Sequence, residues 1–559
     1  MALAESPSYT FMTSKEESIM RTRLSDSALK HRLQGLYGYE QVEVPERPVE
    51  ERVTCSDEVL LGYTPEEAHR EAMRCMQCQD PPCVEACPIH LNVPGYAKAI
   101  VEKDYQRGLQ IVMDTYPLPG TCGRVCFHPC TDVCLKGIQG EPLNIPRLRR
   151  FLADNVSQYD LEYNIPPPSG RQIALVGSGP ASLSCAYHLR CRGHRVVVYE
   201  KDKLAGGTLN ILPGYRLPAK VLQDEVKVLE WLGVEIRTDS PVGGDGCLDH
   251  LLQEYDAVFI AAGAIGSSKP KMPGVDLARS ITGLDYLRAV RDDQAPEVDQ
   301  VAIIGGGDVA MDSLRVALRR ARVVHWIYRR SAEEMPAHEP EVLELGEEVT
   351  LRDLKAVEDA FSDPYQQNVL REARAKLLKL TFTERQRLRQ EMARQLKHRL
   401  LDKLPQGDHE LAQQQDRERR FVVHMLTNPT QVLGEERVSG LELVRMKLGE
   451  PDESGRRRPK PIEGSEFQLE VDLVIFAIGQ NVESGWLGSD SDVEVDRWGQ
   501  ILVDPESQAT GRQSVFAGGD AVRGPASMID ALADGKRAAD SIERMFQRQT
   551  EVIPVAKHS

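Results

Sequence analysis

With 559 residues, 41% hydrophobic and 28% charged, the chain exceeds what one core can hold and reads as about three ordinary globular domains. A net charge of −16 and a pI near 5.4 make a field that repels nucleic acid and anionic lipid, which excludes both as partners. The longest apolar stretch, Ala257 to Ile265, falls short of the ~20 residues a bilayer span needs, and no apolar signal core opens the chain; a cytoplasmic protein without a membrane span is expected.

Residues 1–50 are polar and aperiodic and read as an N-terminal extension. At Thr64-Pro-Glu-Glu67 a threonine N-cap, a proline at the first helical position and a glutamate three residues past the cap predict a helix start. It opens a helical domain over 51–165. Eight of the twelve cysteines crowd between Cys75 and Cys134. Cys75-x2-Cys78-x4-Cys83-x3-Cys87-Pro88 and Cys122-x3-Cys126-x3-Cys130-x3-Cys134 together supply the thiolates that two 4Fe-4S clusters require. Tight cysteine loops, with a last cysteine before proline serving the other cluster, are the pattern of two-cluster ferredoxins. Zinc is the weaker reading, because paired x2 spacings are its habit and only Cys75 and Cys78 form such a pair. Disulfides suit a short exported chain rather than this one. Cys55, Cys185, Cys191 and Cys247 read as lone buried thiols.

Ile165-Pro-Pro-Pro-Ser-Gly170 is a stiff segment ending in a flexible pair, a domain boundary. Beyond it the pattern predicts a βαβ unit: a strand at Gln172–Val176, a helix at Pro180–Arg192 and a strand at Arg195–Glu200. Between the first strand and the helix lies Gly177-Ser-Gly179-Pro180-Ala181-Ser182. Such glycines permit the tight turn and the approach of a pyrophosphate to a helix N-terminus. Alone the motif is weak, and its third glycine is replaced by Ser182. Glu200, ending the next strand about 20 residues on, adds a carboxylate for a ribose 2′-hydroxyl. This site is expected to bind the adenosine of FAD.

A second unit repeats the design, with a strand at Val301–Ile304, a helix at Asp308–Arg320 and a strand at Val323–Tyr328. Its turn is Gly305-Gly306-Gly307-Asp308-Val309-Ala310. Where the first unit ends in an acid, this one ends in Tyr328-Arg329-Arg330, and guanidinium groups there clamp a 2′-phosphate. This site is expected to bind NADP(H). Arg352 to Arg420 reads as a helical insertion, either a solvated helical pair or a docking surface. Two further buried strands, Tyr255–Ala262 and Val471–Ile478, each close on Ala-x-Gly, and Val515–Asp520 follows. The expected fold class is α/β: a helical double 4Fe-4S domain, then two Rossmann-like domains.

These motifs resemble a known family. The cysteine array, Gly206-Gly207-Thr208-Leu before Pro213-Gly-Tyr-Arg216-Leu-Pro218, Tyr328-Arg-Arg330 then Met335-Pro336, Ala477-Ile-Gly479-Gln480 and Ala517-Gly-Gly519-Asp520 are similar to those of the small subunit of NADPH-dependent glutamate synthase. They are equally similar to the N-terminal half of dihydropyrimidine dehydrogenase and to the large subunit of NADH-dependent ferredoxin:NADP oxidoreductase. The likeness covers about Glu51 to Thr350 and Phe421 to Asp540. It implies an FAD domain over 166–298 and 471–559, interrupted by an NADPH domain over 299–470 with its insertion at 351–420. The FAD site it implies has Gly206, Gly207, Thr208 and Arg216, with Ala262-Gly263 closing over the nucleotide and Gly519 and Asp520 reaching the flavin's ribityl and pyrophosphate. Gly479 falls to the NADPH site. It also implies that Cys75, Cys78, Cys83 and Cys134 hold one cluster, and Cys87, Cys126 and Cys130 the other.

In those relatives the missing fourth ligand resembles Glu or Gln, and alignment through Asn144-Ile145 puts Arg149 there. A guanidinium has no lone pair to offer iron, so Cys122 is expected to complete the second site. The resemblance implies hydride transfer from NADPH to FAD and single electrons onward, through both clusters, to a separate redox-enzyme subunit or ferredoxin-like protein in a hetero-oligomer. Rival expectations are an electron-bifurcating transhydrogenase-like subunit and a non-catalytic assembly module retaining the fold. No hydrolytic triad or carboxylate pair is evident, and scattered histidines such as His338 read as ordinary surface or core residues.

Overall fold

The computed structural model describes residues 40–138, 140–331, 334–338, 341, 342, 344, 345, 348, 349, 420–451 and 457–551. The expected helical insertion and most of the N-terminal extension lie outside them. The chain divides into two compact units, residues up to 44 with 62–163, and residues 45–61 with 164 onward.

The first unit is helical: α1 (Pro65–Met73), α2 (Val93–Val101), α3 (Tyr105–Met113), α4 (Pro119–Val125) and α5 (Ile145–Asn155). The α1 start is the predicted capping box: Glu67 N donates to Thr64 Oγ1 and Thr64 N to the Glu67 carboxylate, meeting two of the donors that helix starts leave open. Tyr96, Ile100, Leu109, Met113, Leu148 and Phe151 form the buried interior. A Cβ at Gly123 would lie 2.9 Å from the Arg150 backbone, so glycine lets α4 seat directly on α5. Glu71, fully buried, accepts from Asn144 N and Val42 N at 2.7 Å each and pairs with Arg74 at 2.6 Å.

The second unit runs β1 (Gln172–Val176), α6 (Pro180–Arg190), β2 (Arg195–Tyr199), α7 (Ala219–Trp231), β3 (Glu235–Arg237), β4 (Ala257–Ile260), β5 (Ser280–Thr282), α8 (Gly283–Arg291), β6 (Gln300–Ile304), α9 (Asp308–Arg320), β7 (Val323–Tyr328), β8 (Arg420–Met425), β9 (Thr427–Gly434), β10 (Val438–Pro451), β11 (Arg457–Pro461), β12 (Phe467–Glu470), β13 (Leu473–Phe476), β14 (Val515–Ala517) and α10 (Met528–Glu551). Two parallel sheets result. Their orders are β14-β4-β1-β2-β3 and β5-β13-β6-β7-β8. Continuous apolar runs such as Ile173–Val176 and Leu473–Phe476 are buried throughout, as strands covered on both faces must be. Antiparallel β9, β10, β11 and β12 pack a smaller sheet beside the second one.

Two boundaries differ from those drawn on the sequence. The Leu473–Phe476 strand pairs with β6 and β5 in the second sheet, in register Leu473 to Val301, so that sheet takes residues on both sides of 299–470. Residues 51–61 go with the second unit rather than with the helical one: Arg319 donates to Arg52 O at 2.6 Å and to Cys55 O at 2.9 Å, and Val59 N donates to Tyr215 O. Periodicity could not show either, because a short apolar strand carries no mark of its neighbours.

Candidate functional site

The first fingerprint turn joins β1 to α6, and β1 is the strand at which the sheet order reverses, the place where open α/β sheets bind ligands. Gly177 has φ of +93°, and a Cβ there would lie 2.5 Å from Ala261 O. A side chain would push the turn off the Ala261-Ala262-Gly263 strand end. Gly179 caps α6 without a side-chain hydrogen bond and with nothing within 4 Å of its Cβ position, so the first amide donors of an eleven-residue helix face open space. A Cβ at Gly207 would lie 3.0 Å from Gly179 Cα, so the loop of Gly206, Gly207 and Thr208 comes up against the turn. Gly519 meets Ala181, and its amide donates to Asp534 at 2.9 Å. Thus Gly177, Gly179, Pro180, Ala181, the 206–208 loop, Ala262, Gly263, Gly519 and Asp520 are assembled around one helix N-terminus. Burial pushes the Asp520 carboxyl up to about 6.

Glu200 is buried, accepting from Ser178 N and Oγ on one oxygen and from Asp202 N at 2.8 Å on the other. Three of the roughly four lone-pair sites of a carboxylate are used, leaving one for a ligand hydroxyl. Ser178 Oγ in turn accepts from Gly206 N at 2.9 Å; this hinge escaped sequence reading because the variable position of the motif carries it. Ser182, in place of a glycine, is fully buried with its hydroxyl unpartnered. Arg216 pairs with Asp312 at 2.7 Å and Glu341 at 3.0 Å.

The second turn repeats the first. Gly305 has φ of +149°, and a Cβ there would lie 2.1 Å from Ala477 O, just as Gly177 meets Ala261. Gly306 fits under the Tyr328 ring, 2.6 Å from a Cβ position. Gly307 caps the thirteen-residue α9 with no side-chain hydrogen bond, and Ala310 is buried beneath it. Asp308 receives His338 N at 2.9 Å and the His338 ring at 2.7 Å, so Met335–His338 lies along this turn. Arg329 is exposed, and Arg330 donates to Arg457 O at 3.1 Å. Gly479, φ +139°, follows the strand end that covers Gly305.

The cysteines form two nests in the helical unit. Cys75, Cys78, Cys83 and Cys134 line one small cavity with Pro81, Val93 and Ile145, and Leu143 N points at Cys134 Sγ from 3.4 Å. Burial, with the neighbouring thiols adding to it, raises Cys75 to about 12 and Cys78 to about 11 and pushes Cys83 up as well, so these three thiols resist ionisation unless a cation joins them. Cys87, Cys122, Cys126 and Cys130, all buried, make the second nest: Cys122 donates to Cys126, and Cys130 feels Cys126 and Cys87. His128 N points at Cys126 Sγ from 3.4 Å. Arg149, 1% exposed, donates from Nη2 to Cys122 O at 2.7 Å and hydrogen-bonds the Cys126 side chain, while its Nε is a buried donor without a partner among the described residues. A buried cation beside four thiols, with no carboxylate paired to it among the described residues, calls for an anionic guest. The all-cysteine donor set in each nest fits iron-sulfur ligation.

Two parallel-sheet dinucleotide folds with open helix N-termini and a helical unit carrying two four-thiol nests define an electron-transferring oxidoreductase. A family model described as pyridine nucleotide-disulphide oxidoreductase matches residues 171–352 and 395–535, more than half the chain, and one described as dihydropyrimidine dehydrogenase domain II, 4Fe-4S cluster, matches 52–161. The chain belongs to the pyridine nucleotide-disulphide oxidoreductases and carries, ahead of that domain, a match to the 4Fe-4S domain of dihydropyrimidine dehydrogenase.

It is 37% identical over 499 residues to NADP(+)-dependent formate dehydrogenase subunit beta of Moorella thermoacetica, covering 84% of this chain and 60% of that one. It is 32% identical over 502 residues to NADPH-Fe(3+) oxidoreductase subunit beta of Geobacter sulfurreducens, covering 83% and 64%. It is 29% identical over 527 residues to the glutamate synthase [NADPH] small chain of Escherichia coli, covering 90% and 96%. The chain thus spans less than two thirds of the first two relatives. No helix among the described residues is long and apolar enough to cross a membrane.

Proposed function

We propose that the chain is an electron-input subunit that draws on NADPH and serves a separate redox subunit or ferredoxin-like protein. The flavin supplies the conversion of a hydride pair into single electrons, and the clusters carry those electrons. The chain's own part is binding and orientation. At the first turn the α6 amides hold the FAD pyrophosphate, Glu200 takes the ribose hydroxyl, and Gly519 with Asp520 takes the ribityl side. At the second turn the α9 amides hold the NADPH pyrophosphate, with Arg329 and Arg330 at the 2′-phosphate. Cys75, Cys78, Cys83 and Cys134 hold cluster 1, and Cys87, Cys122, Cys126 and Cys130 hold cluster 2.

The observation that carries this reading is the gathering of eight of the chain's cysteines into two nests of four. Relatives named as beta subunits or small chains support a hetero-oligomer. Anaerobic titration of the purified protein with NADPH, and separately NADH, followed by absorbance and EPR, tests it. NADPH should bleach the flavin and bring up two cluster signals. NADPH oxidation that turns over only when a low- and a high-potential acceptor are both present would favour a bifurcating subunit; bound flavin that never bleaches would favour an assembly module.

A further inference from the structure

Arg149 sits where a fourth ligand was sought, and its surroundings give it a different part. Its side chain lies on the buried face of α5, 1% exposed, with Nη2 donating to Cys122 O at 2.7 Å, a hydrogen bond to the Cys126 side chain, the Tyr116 ring centroid at 5.9 Å and Nε without a partner among the described residues. Tyr116 is itself fully buried. Among the described residues no carboxylate pairs with this guanidinium; it lies against the Cys122 and Cys126 side of the nest and the Tyr116 ring. Burial of a desolvated cation of this kind is unfavourable unless an anion compensates it. The thiol set of the second nest, once it holds a cluster, is that anion.

Such a cluster is negative in both redox states, and one electron, with no proton or ligand exchanged, makes it more so. A fixed buried cation stabilises the more negative state preferentially, because low dielectric leaves its field unscreened. We propose that Arg149 is a positioning residue of charge, fixing the reduction potential of cluster 2 at a higher value than its four thiolates alone would allow. The inference rests on the reading that Cys87, Cys122, Cys126 and Cys130 bind a 4Fe-4S cluster.

The test is potentiometric titration with dithionite, monitored by EPR, of the full-length protein, Arg149→Gln and Arg149→Lys, with iron and acid-labile sulfide measured on each sample. Cys126→Ser identifies which signal belongs to cluster 2. In Arg149→Gln the midpoint of that signal should fall while the other signal stays; in Arg149→Lys it should stay nearer the wild-type value. Loss of cluster 2 iron in the Gln variant, with the Lys variant keeping both iron and midpoint, equally supports charge compensation. An unmoved midpoint in Arg149→Gln overturns the inference, as does loss of iron in both variants, which would make Arg149 a packing element only. Failure of the underlying ligand reading shows separately, as wild-type protein without iron and sulfide for two clusters.

Discussion

Arg216 Nη1 meets Asp312 Oδ2 at 2.7 Å, inside a shell where both side chains are nearly sealed from water and Glu341 takes the other arm of the guanidinium at 3.0 Å. The pair joins the Pro213–Pro218 loop to helix α9, and the Tyr215 hydroxyl donates to Asp312 O beside it. Removing one partner of a buried pair is most costly when it leaves the other charge with none; Glu341 stays on Arg216 here, so truncating Asp312 costs about the 1.5–3 kcal/mol of its charged hydrogen bond. Asp312→Ala should therefore lower unfolding free energy by that amount in denaturant titration, and the Arg216→Met/Asp312→Leu double variant should lose less than the sum of its single changes. A loss near 1 kcal/mol, typical of an exposed pair, would show that the network opens to water.

Gly177 and Gly305 hold equivalent places under Ala261 O and Ala477 O, which separates the two nucleotide sites experimentally. Alanine at either position meets a carbonyl oxygen and a positive φ, with strain of about 1–3 kcal/mol. Gly177→Ala should be purified with reduced flavin. Gly305→Ala should keep its flavin while its nucleotide affinity drops by about ten- to a hundredfold, read as the NADPH concentration that half-saturates flavin bleaching. Equal flavin loss in both variants would contradict the assignment of the two sites.

The exposed Arg329 should govern the choice between NADPH and NADH. A charge-assisted hydrogen bond contributes about 1.5–3 kcal/mol, so Arg329→Ala should lower kcat/KM for NADPH by about ten- to a hundredfold and leave NADH unchanged. A parallel fall for both nucleotides would mean that Arg329 supports the loop rather than reading the 2′-phosphate. Arg330, already engaged with Arg457 O, should show the smaller selectivity change.

Much of this site could be read from residues because its parts are local. The turns, the first strands β1 and β6 and the helix α9 obey short-range rules of glycine, apolar runs and capping, and each lies within a residue of its expected limits. The strand at Leu473–Phe476 was legible as a strand but not as a member of the second sheet, since its partners β5 and β6 lie far away in the chain. Arg216 was placed with the flavin from a motif, yet its nearest charges come from Asp312 and Glu341, which no local pattern announces. Asp534, holding Gly519 N, was missed for the same reason. The pairing of Cys134 with Cys75, Cys78 and Cys83 across intervening helices came from resemblance, and the cavity they line together supports it on independent grounds.

The two nests make distinct predictions for iron content. Cys78→Ser should disturb only the cluster of the Cys75 nest, and Cys122→Ser only that of the Arg149 nest, each removing about half of the iron from reconstituted protein while flavin stays bound. If Cys122→Ser keeps full iron and both EPR signals, Cys122 is a buried thiol above the site and another group completes it.

Asp520 ties stability to pH. Its carboxyl is raised by burial from the ordinary 3.8 to about 6, so between roughly pH 4 and 6 the folded chain holds a proton that the unfolded chain has released. The associated stability is present in full below the unfolded value and is lost as pH rises through 6. Asp520→Asn keeps an oxygen to accept from Ala526 N, a bond of 3.2 Å in the native chain, and cannot ionise. In flavin-free protein the variant should gain on wild type as pH is raised from 4 to 7.5, the change centred between the two values and flat above 7. A stability difference that does not vary with pH would show that Asp520 ionises as it does in water, and that the pocket beside Gly519 is hydrated before any nucleotide enters it.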